Sequence, residues 1–475
     1  MERFLHLRLS LDLRTVVLIL AFVVLVIAFI SRTYAVGSFP YFPPAAPWNG
    51  AQVNQTSLQG LYIDEYGYMR IAQHLLEVPP TFSVFQPPLA MLFLDISTLV
   101  LGVNTFGVRL PFAIFSAMTA LLVFLIAKKL SKSNILGFAS ALFYVVMVPA
   151  LIYGRMAFLD NASAFFFVAM FYFLLKYKDN PGERIGSRWL LAASCIAGLS
   201  VLAKITGLLA VLFVLLFLFK EKSLRRSLRF VLPMFVIVAI FPLAVIYVLD
   251  FSYLNLITRL NGQYGVFLVG NEIGVWRYFL LSTFPSGYTT WWGGFGGFPK
   301  PEFWYVLLYV TLAAVAIKEF PTYSDLILAI GVFVTFVSVV APPGSYYLIF
   351  LQPLLAVTFG PGVRRLIQMP VHATMGIYAF LYVPIAISLG VTTVTGTGAG
   401  YPFISDSTLF LWKFLLVTIP LAVLFLSFAR YEENRRWKVG YNTFLIGMLL
   451  AVLFAASYLS PDLYPQYFYR SAFTP

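Results

Sequence analysis

Apolar stretches long enough to cross a bilayer recur along this chain from Val16 to Leu459, and that repetition limits the fold more than any other feature. Backbone held in hydrocarbon must satisfy its own hydrogen bonds, so each such stretch has to be helical. A mean hydropathy of +0.87 with 11% charged residues excludes a soluble protein carrying one anchor. The expected fold class is an all-α polytopic membrane protein. The first run, Val16 to Ile30, has no small-residue cleavage site close behind it and reads as a retained helix.

At roughly 17–25 residues per span, hydropathy divides the chain into about thirteen transmembrane helices. They lie near 15–35, 108–128, 134–153, 161–177, 188–203, 205–220, 229–249, 303–318, 324–341, 344–360, 372–391, 409–429 and 440–459. Two long outer segments result, 36–107 and 250–302, and no soluble domain is expected. Pro88 to Gly102 is apolar but too short to span, so it reads as an interfacial or re-entrant helix lying against the outer face. The expected division is a membrane catalytic module over 1–220, including loop 36–107, followed by variable transmembrane helices over 221–475.

Charge sets the orientation. With the amino terminus cytoplasmic, about 22 of the 32 cations and about 9 of the 19 acids fall on inner segments, and about 10 of each fall outside. Clusters such as Lys128-Lys129, Arg225-Arg226 and Arg435-Arg436 all lie inside. The net charge of +13 is therefore a topology signal and implies no nucleic-acid partner. Cys195 is the only cysteine, and His6, His74 and His372 are scattered. No disulfide and no dedicated metal-ligand cluster follow from them; dependence on a divalent metal stays open.

Against so apolar a background, the outer-face charges are sparse. Asp64-Glu65 sits in the first outer loop. Arg109 begins the second span. Arg155 and Asp160, in Tyr153-Gly-Arg-Met-Ala-Phe-Leu-Asp160, lie in a short outer turn, and Lys204 ends a later span. Ionisable groups beside hydrocarbon are costly and face a cavity or a partner. Bland alternatives stand beside this. Asp64-Glu65 reads equally as a solvated loop pair, Arg109 and Lys204 as residues snorkelling to lipid headgroups, and Arg155 with Asp160 as a simple ion pair. Gathered at one surface, however, these carboxylates and cations suit a reaction on a lipid-linked phosphate. Cations hold the phosphate, and a carboxylate takes the proton of an attacking hydroxyl.

At this point the residues resemble a known pattern. Asp64-Glu65 followed by Tyr68 and Ala72 is similar to the first-loop acidic motif of the GT-C glycosyltransferases. The nearest groups are the dolichyl-phosphate-mannose protein mannosyltransferases and the lipid A aminoarabinose transferases. Gln86-Pro-Pro-Leu89, Leu101-Gly102 and Phe106-Gly-Val-Arg-Leu-Pro111 follow in matching order. The Arg155-x(4)-Asp160 spacing and Gly198-Leu-Ser-Val-Leu-Ala-Lys204 continue it, and Tyr346-Tyr347 to Pro353 resembles a later element. The resemblance implies a GT-C fold with juxtamembrane helices in the first loop. It also implies an inverting transfer of mannose or a similar hexose or pentose from a polyprenyl or dolichyl phosphate to a protein, lipid or glycan acceptor.

By resemblance, Asp64 is the principal catalytic carboxylate, with Glu65 its nearest rival, and Asp160 assists or binds the acceptor. Arg155, Lys204 and Arg109 contact the donor phosphate, while Tyr68, Gln86, Tyr346 and Tyr347 lie near donor or acceptor. Gln86 stands where many relatives carry His or Lys, so that contact is neutral here. No large external domain of the kind some relatives carry is expected, and acceptor recognition is then expected of loops such as 250–302. Two other classes fit the composition: a transporter or lipid flippase, and a non-catalytic scaffold. A transporter places its charges on broken helices at mid-membrane, whereas these lie at one face. Asn54 and Asn161 begin glycosylation sequons, Asn161 in a poor position at the start of a span.

Overall fold

The computed structural model describes residues 13–34, 65, 67–69, 72, 86–249, 302–339, 349–370, 373–374, 376–377 and 435–458. The regular elements among them are all helical, with no strand. In order they are α1 (Leu13–Thr33), α2 (Leu89–Leu101), α3 (Thr105–Ser131), α4 (Asn134–Val146), α5 (Val148–Tyr153), α6 (Leu159–Asp179) and α7 (Arg184–Ala203). A 3₁₀ turn (Ile205–Gly207) leads into α8 (Leu208–Lys220) and α9 (Leu224–Leu249). After these come α10 (Glu302–Val339), α11 (Leu351–Val357), α12 (Phe359–Gln368) and α13 (Arg435–Tyr458). Among the described residues, four helices are long and apolar enough to cross a membrane: Thr15–Thr33, Thr105–Ser131, Leu159–Asp179 and Arg184–Ala203. The expected spans near 372–391 and 409–429 lie wholly or mostly outside the described residues.

Several expected spans are broken, and proline explains where. Proline has no N–H to give the carbonyl four residues back. The span expected over 134–153 divides at Met147, which is extended (φ −63°, ψ 120°), just ahead of Pro149. The carbonyl that Pro149 would have served, Val145 O, accepts from Arg32 Nη1 at 3.0 Å. In α3, Pro111 leaves Gly107 O without its helical donor, and Ser97 Oγ of α2 fills that place at 2.6 Å. Between α11 and α12, Pro361 leaves Val357 O, and Ser140 Oγ of α4 donates to it at 3.1 Å. Three helix irregularities thereby become three interhelical bonds. The two spans expected over 303–318 and 324–341 are one run, α10, with a non-helical break at Glu319 two residues before Pro321. The expected division between 203 and 205 holds: Lys204 is extended (φ −158°, ψ 145°).

Small residues let these helices approach closely. Ser163 Oγ donates to Ser200 O and Ser200 Oγ to Ser163 O, each at 2.9 Å, pinning α6 to α7. An added Cβ at Gly360 would lie 2.2 Å from Leu136 O, so α12 crosses α4 in backbone contact. Around these contacts an aromatic core assembles, with Phe143 stacked on Phe359 (3.8 Å) and Phe167 edge-on to Phe333 (4.6 Å).

Charges sort to the two ends of the bundle. At one end, Lys129 pairs with Asp179, and Lys178 and Lys220 converge on buried Asp325, with Lys178 at 2.7 Å. At the other end lie the C-terminal ends of α1 and α7 and the N-terminal ends of α3 and α6, with Arg32, Arg109, Asp160 and Lys204. Helix α2, 13 residues and about 20 Å long, is shorter than the ~30 Å hydrocarbon core. It packs against α3, α6 and α7. Its buried face is Ala90, Met91, Leu94, Asp95 and Thr98, while Ile96, Leu99 and Val100 are exposed.

The proline rule gives a stability prediction. Ser97→Ala should destabilise the purified protein by about 1–3 kcal/mol, since it leaves a buried carbonyl unserved. In a Pro111→Ala background, where the helix supplies its own donor, the same substitution should cost much less. Thermal unfolding of the two single variants and the double variant in detergent measures the difference; equal costs in both backgrounds would refute the link.

Candidate active site

The site end is built around a buried ion pair. Glu65 lies among the described helical residues 65, 67–69 and 72 of the first loop, and Arg109 in the second turn of α3. Arg109 Nε donates to Glu65 Oε1 at 2.8 Å and Nη2 to Oε2 at 2.7 Å, a bidentate match with both side chains fully buried. The Ala157 N–H adds a third bond to Oε1 at 2.7 Å. Glu65 therefore fastens the first loop both to α3 and to the 154–158 turn. Removing one member of such a pair strands the other charge in a dry place.

That turn carries Arg155, whose Nε and Nη2 donate to Ser31 O at 2.9 and 2.5 Å. Arg155 thus serves a carbonyl at the C-terminal end of α1. Its counterpart is Arg32 on α1, fully buried, which donates to Tyr144 O (3.2 Å), Val145 O (3.0 Å) and Ser116 Oγ (3.0 Å). Each arginine satisfies carbonyls at a helix C-terminus, Arg155 at α1 and Arg32 at α4. Between them sits Gly154. An added Cβ there would lie 2.2 Å from Ser116 Oγ and 2.9 Å from Arg32 Nε, so only glycine admits this closeness.

Asp160 opens α6 and Lys204 closes α7. Lys204 Nζ donates to Asp160 Oδ2 at 2.5 Å, both groups almost completely buried. The carboxylate sits at a helix N-terminus and the ammonium at a helix C-terminus, where each is favoured by the local backbone dipole. Asp160 is held by Lys204. Its other oxygen, Oδ1, is buried with no hydrogen-bond partner among the described residues. Asn161 Nδ2, the atom a glycan would take, is buried and donates to Tyr153 O (2.8 Å) and Met156 O (3.0 Å). It braces the turn instead.

The structure thus gathers Glu65, Arg109, Arg155, Asp160 and Lys204 at one end, with Tyr68 packed against the apolar cluster beneath them. Gln86 precedes α2 with Oε1 buried and unpartnered among the described residues. Asp64, Tyr346 and Tyr347 lie outside the described residues. Two participants were not read from the sequence: Arg32, whose signal was a lone cation inside the first span, and Asp95, a lone acid in an apolar helix. Burial shifts the Asp95 carboxyl upward from its ordinary value.

Comparison with known proteins falls on this same region. Residues 85–249 match the family model described as dolichyl-phosphate-mannose-protein mannosyltransferase. A polyprenol-phosphate-mannose–protein mannosyltransferase of Mycobacterium tuberculosis is 27% identical over 160 residues, 30% of this chain and 31% of that protein. The chain thus matches about a third of the curated relative's length. Among solved structures, ArnT from Cupriavidus metallidurans bound to undecaprenyl phosphate superposes with a TM-score of 0.57 at 15% identity. That match covers 94% of this chain and 78% of ArnT. The arabinosyltransferase EmbB from Mycobacterium smegmatis gives 0.53 at 13% identity, over 93% of this chain and 41% of EmbB. The chain has a GT-C fold.

The Glu65–Arg109 pair gives a double-mutant prediction. Glu65→Gln and Arg109→Met should each destabilise by about 3–5 kcal/mol, and the double variant by clearly less than their sum. Thermal unfolding in detergent tests this, and additive losses would show that the two side chains do not depend on each other.

Proposed function

We propose that this chain is an integral-membrane glycosyltransferase that moves mannose or a similar hexose or pentose from a polyprenyl or dolichyl phosphate to a protein, lipid or glycan hydroxyl. The observation that carries this reading is the gathering of Arg155, Lys204 and Asp160 with the Glu65–Arg109 anchor at one end of the bundle. Most of that gathering lies inside the stretch that matches the mannosyltransferase family. The fold shared with ArnT supports it.

In this reading the lipid tail lies in the bilayer, with the phosphate at the interface beside Arg155 and Lys204. The acceptor oxygen attacks the anomeric carbon from the side opposite the phosphate. The bond from that carbon to the phosphate oxygen breaks, and its electron pair leaves with the polyprenyl phosphate. A carboxylate takes the acceptor's proton, and the anomeric configuration inverts. The cations offset the charge that grows on the leaving phosphate.

Asp64 is the carboxylate assigned to the proton. Glu65 Oε1 and Oε2 already accept from Arg109 and Ala157, which suits an anchor better than a base. Chain connectivity keeps the Cα of Asp64 within about 3.8 Å of the Glu65 Cα, so the anchor governs where Asp64 reaches. Arg109, engaged with Glu65, serves the acidic loop in this scheme rather than the donor. The cation count supports a cytoplasmic amino terminus and a site on the outer or lumenal face. The separation of Lys129, Lys178 and Lys220 from the site end accords with that orientation.

Purified protein assayed against a panel of radiolabelled polyprenyl phosphate sugars should form labelled product with at least one donor. Asp64→Asn should reduce transfer by about 100-fold or more without lowering the unfolding temperature. A wild-type protein that moves donors across vesicles yet labels no acceptor would overturn the transferase reading in favour of a flippase.

A further inference from the structure

Buried polar atoms that lack partners are uncommon, because each costs about 1–3 kcal/mol when water is excluded. Among the described residues such side-chain atoms occur on Gln86, Asp95, Asp160, Ser194, Thr206, Tyr323 and Asn442. Four of these residues lie on or beside elements that pack together, α2, α6 and α7. Gln86 precedes α2, Asp95 lies on its buried face, Asp160 opens α6, and Thr206 follows the end of α7. The same apolar cluster joins their neighbours: Ala90, Met91 and Leu94 of α2, Leu159 and Ala162 of α6, and Ala203 of α7.

The chemistry of these atoms is one-sided. Gln86 Oε1, Asp95 Oδ2 and Asp160 Oδ1 are oxygens that accept hydrogen bonds, and the Thr206 hydroxyl also accepts. The phosphodiester of a polyprenyl phosphate sugar carries only acceptors and cannot pair with the first three. A sugar ring carries hydroxyl donors and can. A divalent cation also takes oxygen ligands, but the Lys204 ammonium, 2.5 Å from Asp160, already supplies the positive charge there.

We propose that Asp95, with Gln86 and Asp160, forms the sugar-binding end of the donor site, and that Asp95 accepts a hydrogen bond from one ring hydroxyl and so selects the sugar. The assignment rests on the transferase reading above. It divides the site by chemistry: Arg155 and Lys204 face the phosphate, and the acceptor oxygens of the α2 seam face the sugar.

The test uses polyprenyl phosphate mannose, its monodeoxy analogues, and polyprenyl monophosphate without sugar. Wild-type protein should lose about 10- to 100-fold in kcat/KM with the analogue that lacks the recognised hydroxyl. Asp95→Ala should lose a similar factor with the parent donor and nothing further with that analogue. Asp95→Asn, which keeps an acceptor oxygen, should fall between. Binding of polyprenyl monophosphate should be unchanged in both variants, and the unliganded Asp95→Ala protein should unfold at a higher temperature, because an unpartnered carboxylate has been removed.

Several results would overturn the assignment. They are equal losses by Asp95→Ala with every donor, weakened monophosphate binding, an unfolding temperature that falls, or sugar discrimination that disappears with chelator and returns with Mg²⁺. Wild-type protein that neither binds polyprenyl phosphate mannose nor transfers from any donor would refute the transferase reading itself, and this assignment with it.

Discussion

Inside an apolar bundle a backbone carbonyl cannot go unpaired, and much of this structure follows from how that demand is met. Pro111, Pro149 and Pro361 each deprive the carbonyl four residues earlier of its helical donor. Ser97, Arg32 and Ser140 supply the replacement from a neighbouring helix. A sequence feature that weakens a single helix in isolation thus joins two helices in the fold. Two of these joints hold parts of the site end, α2 to α3 and α1 to α4; the third holds α12 and α11 against α4. Asn442 of α13 does the same work at the close of α12, donating to Ile367 O and Met369 O.

The helices themselves were legible because hydrophobic length is a strong and local signal. The breaks were less so. Val146, Met147 and Val148 are as apolar as their surroundings, and nothing in hydropathy separates 134–146 from 148–153; only Pro149 marked the place. At 319–321 the chain contains Glu319 and Pro321, which read as a loop, yet a single non-helical residue suffices. The site was legible as a set of charges on one face but not as a set of pairs. Spacing suggested Arg155 with Asp160, five residues apart. The fold pairs Asp160 with Lys204, 44 residues away, because α6 and α7 run antiparallel and bring their ends together. Asp95 was invisible for a related reason. One acid in an apolar helix reads as noise until the packed face of that helix is known.

The two ends of the bundle use charge differently. At the lysine-rich end, partly exposed Lys178 and Lys220 converge on buried Asp325 and tie α6, α8 and α10 together, while Lys129 and Asp179 pair near the surface. Pairs of this kind contribute modestly to stability and are weakened by salt. At the other end, Glu65–Arg109 and Asp160–Lys204 are almost fully enclosed. Their geometry is therefore fixed by desolvation as well as by attraction, and a substitution there alters the neighbours as much as the residue itself. This suits a place where reacting groups must be held within fractions of an ångström.

The exchange between Arg32 and Arg155 has a mechanical side. Axial sliding of α1 past α4 would carry Arg32 away from Tyr144 O and Val145 O, and would also drag Ser31 O from Arg155. The bonds would fail together, since they belong to one short piece of α1 held from opposite directions. Gly154 leaves no slack between them. Helix α1 is thereby held in register at this end, where Arg32 and Ser31 O are both engaged.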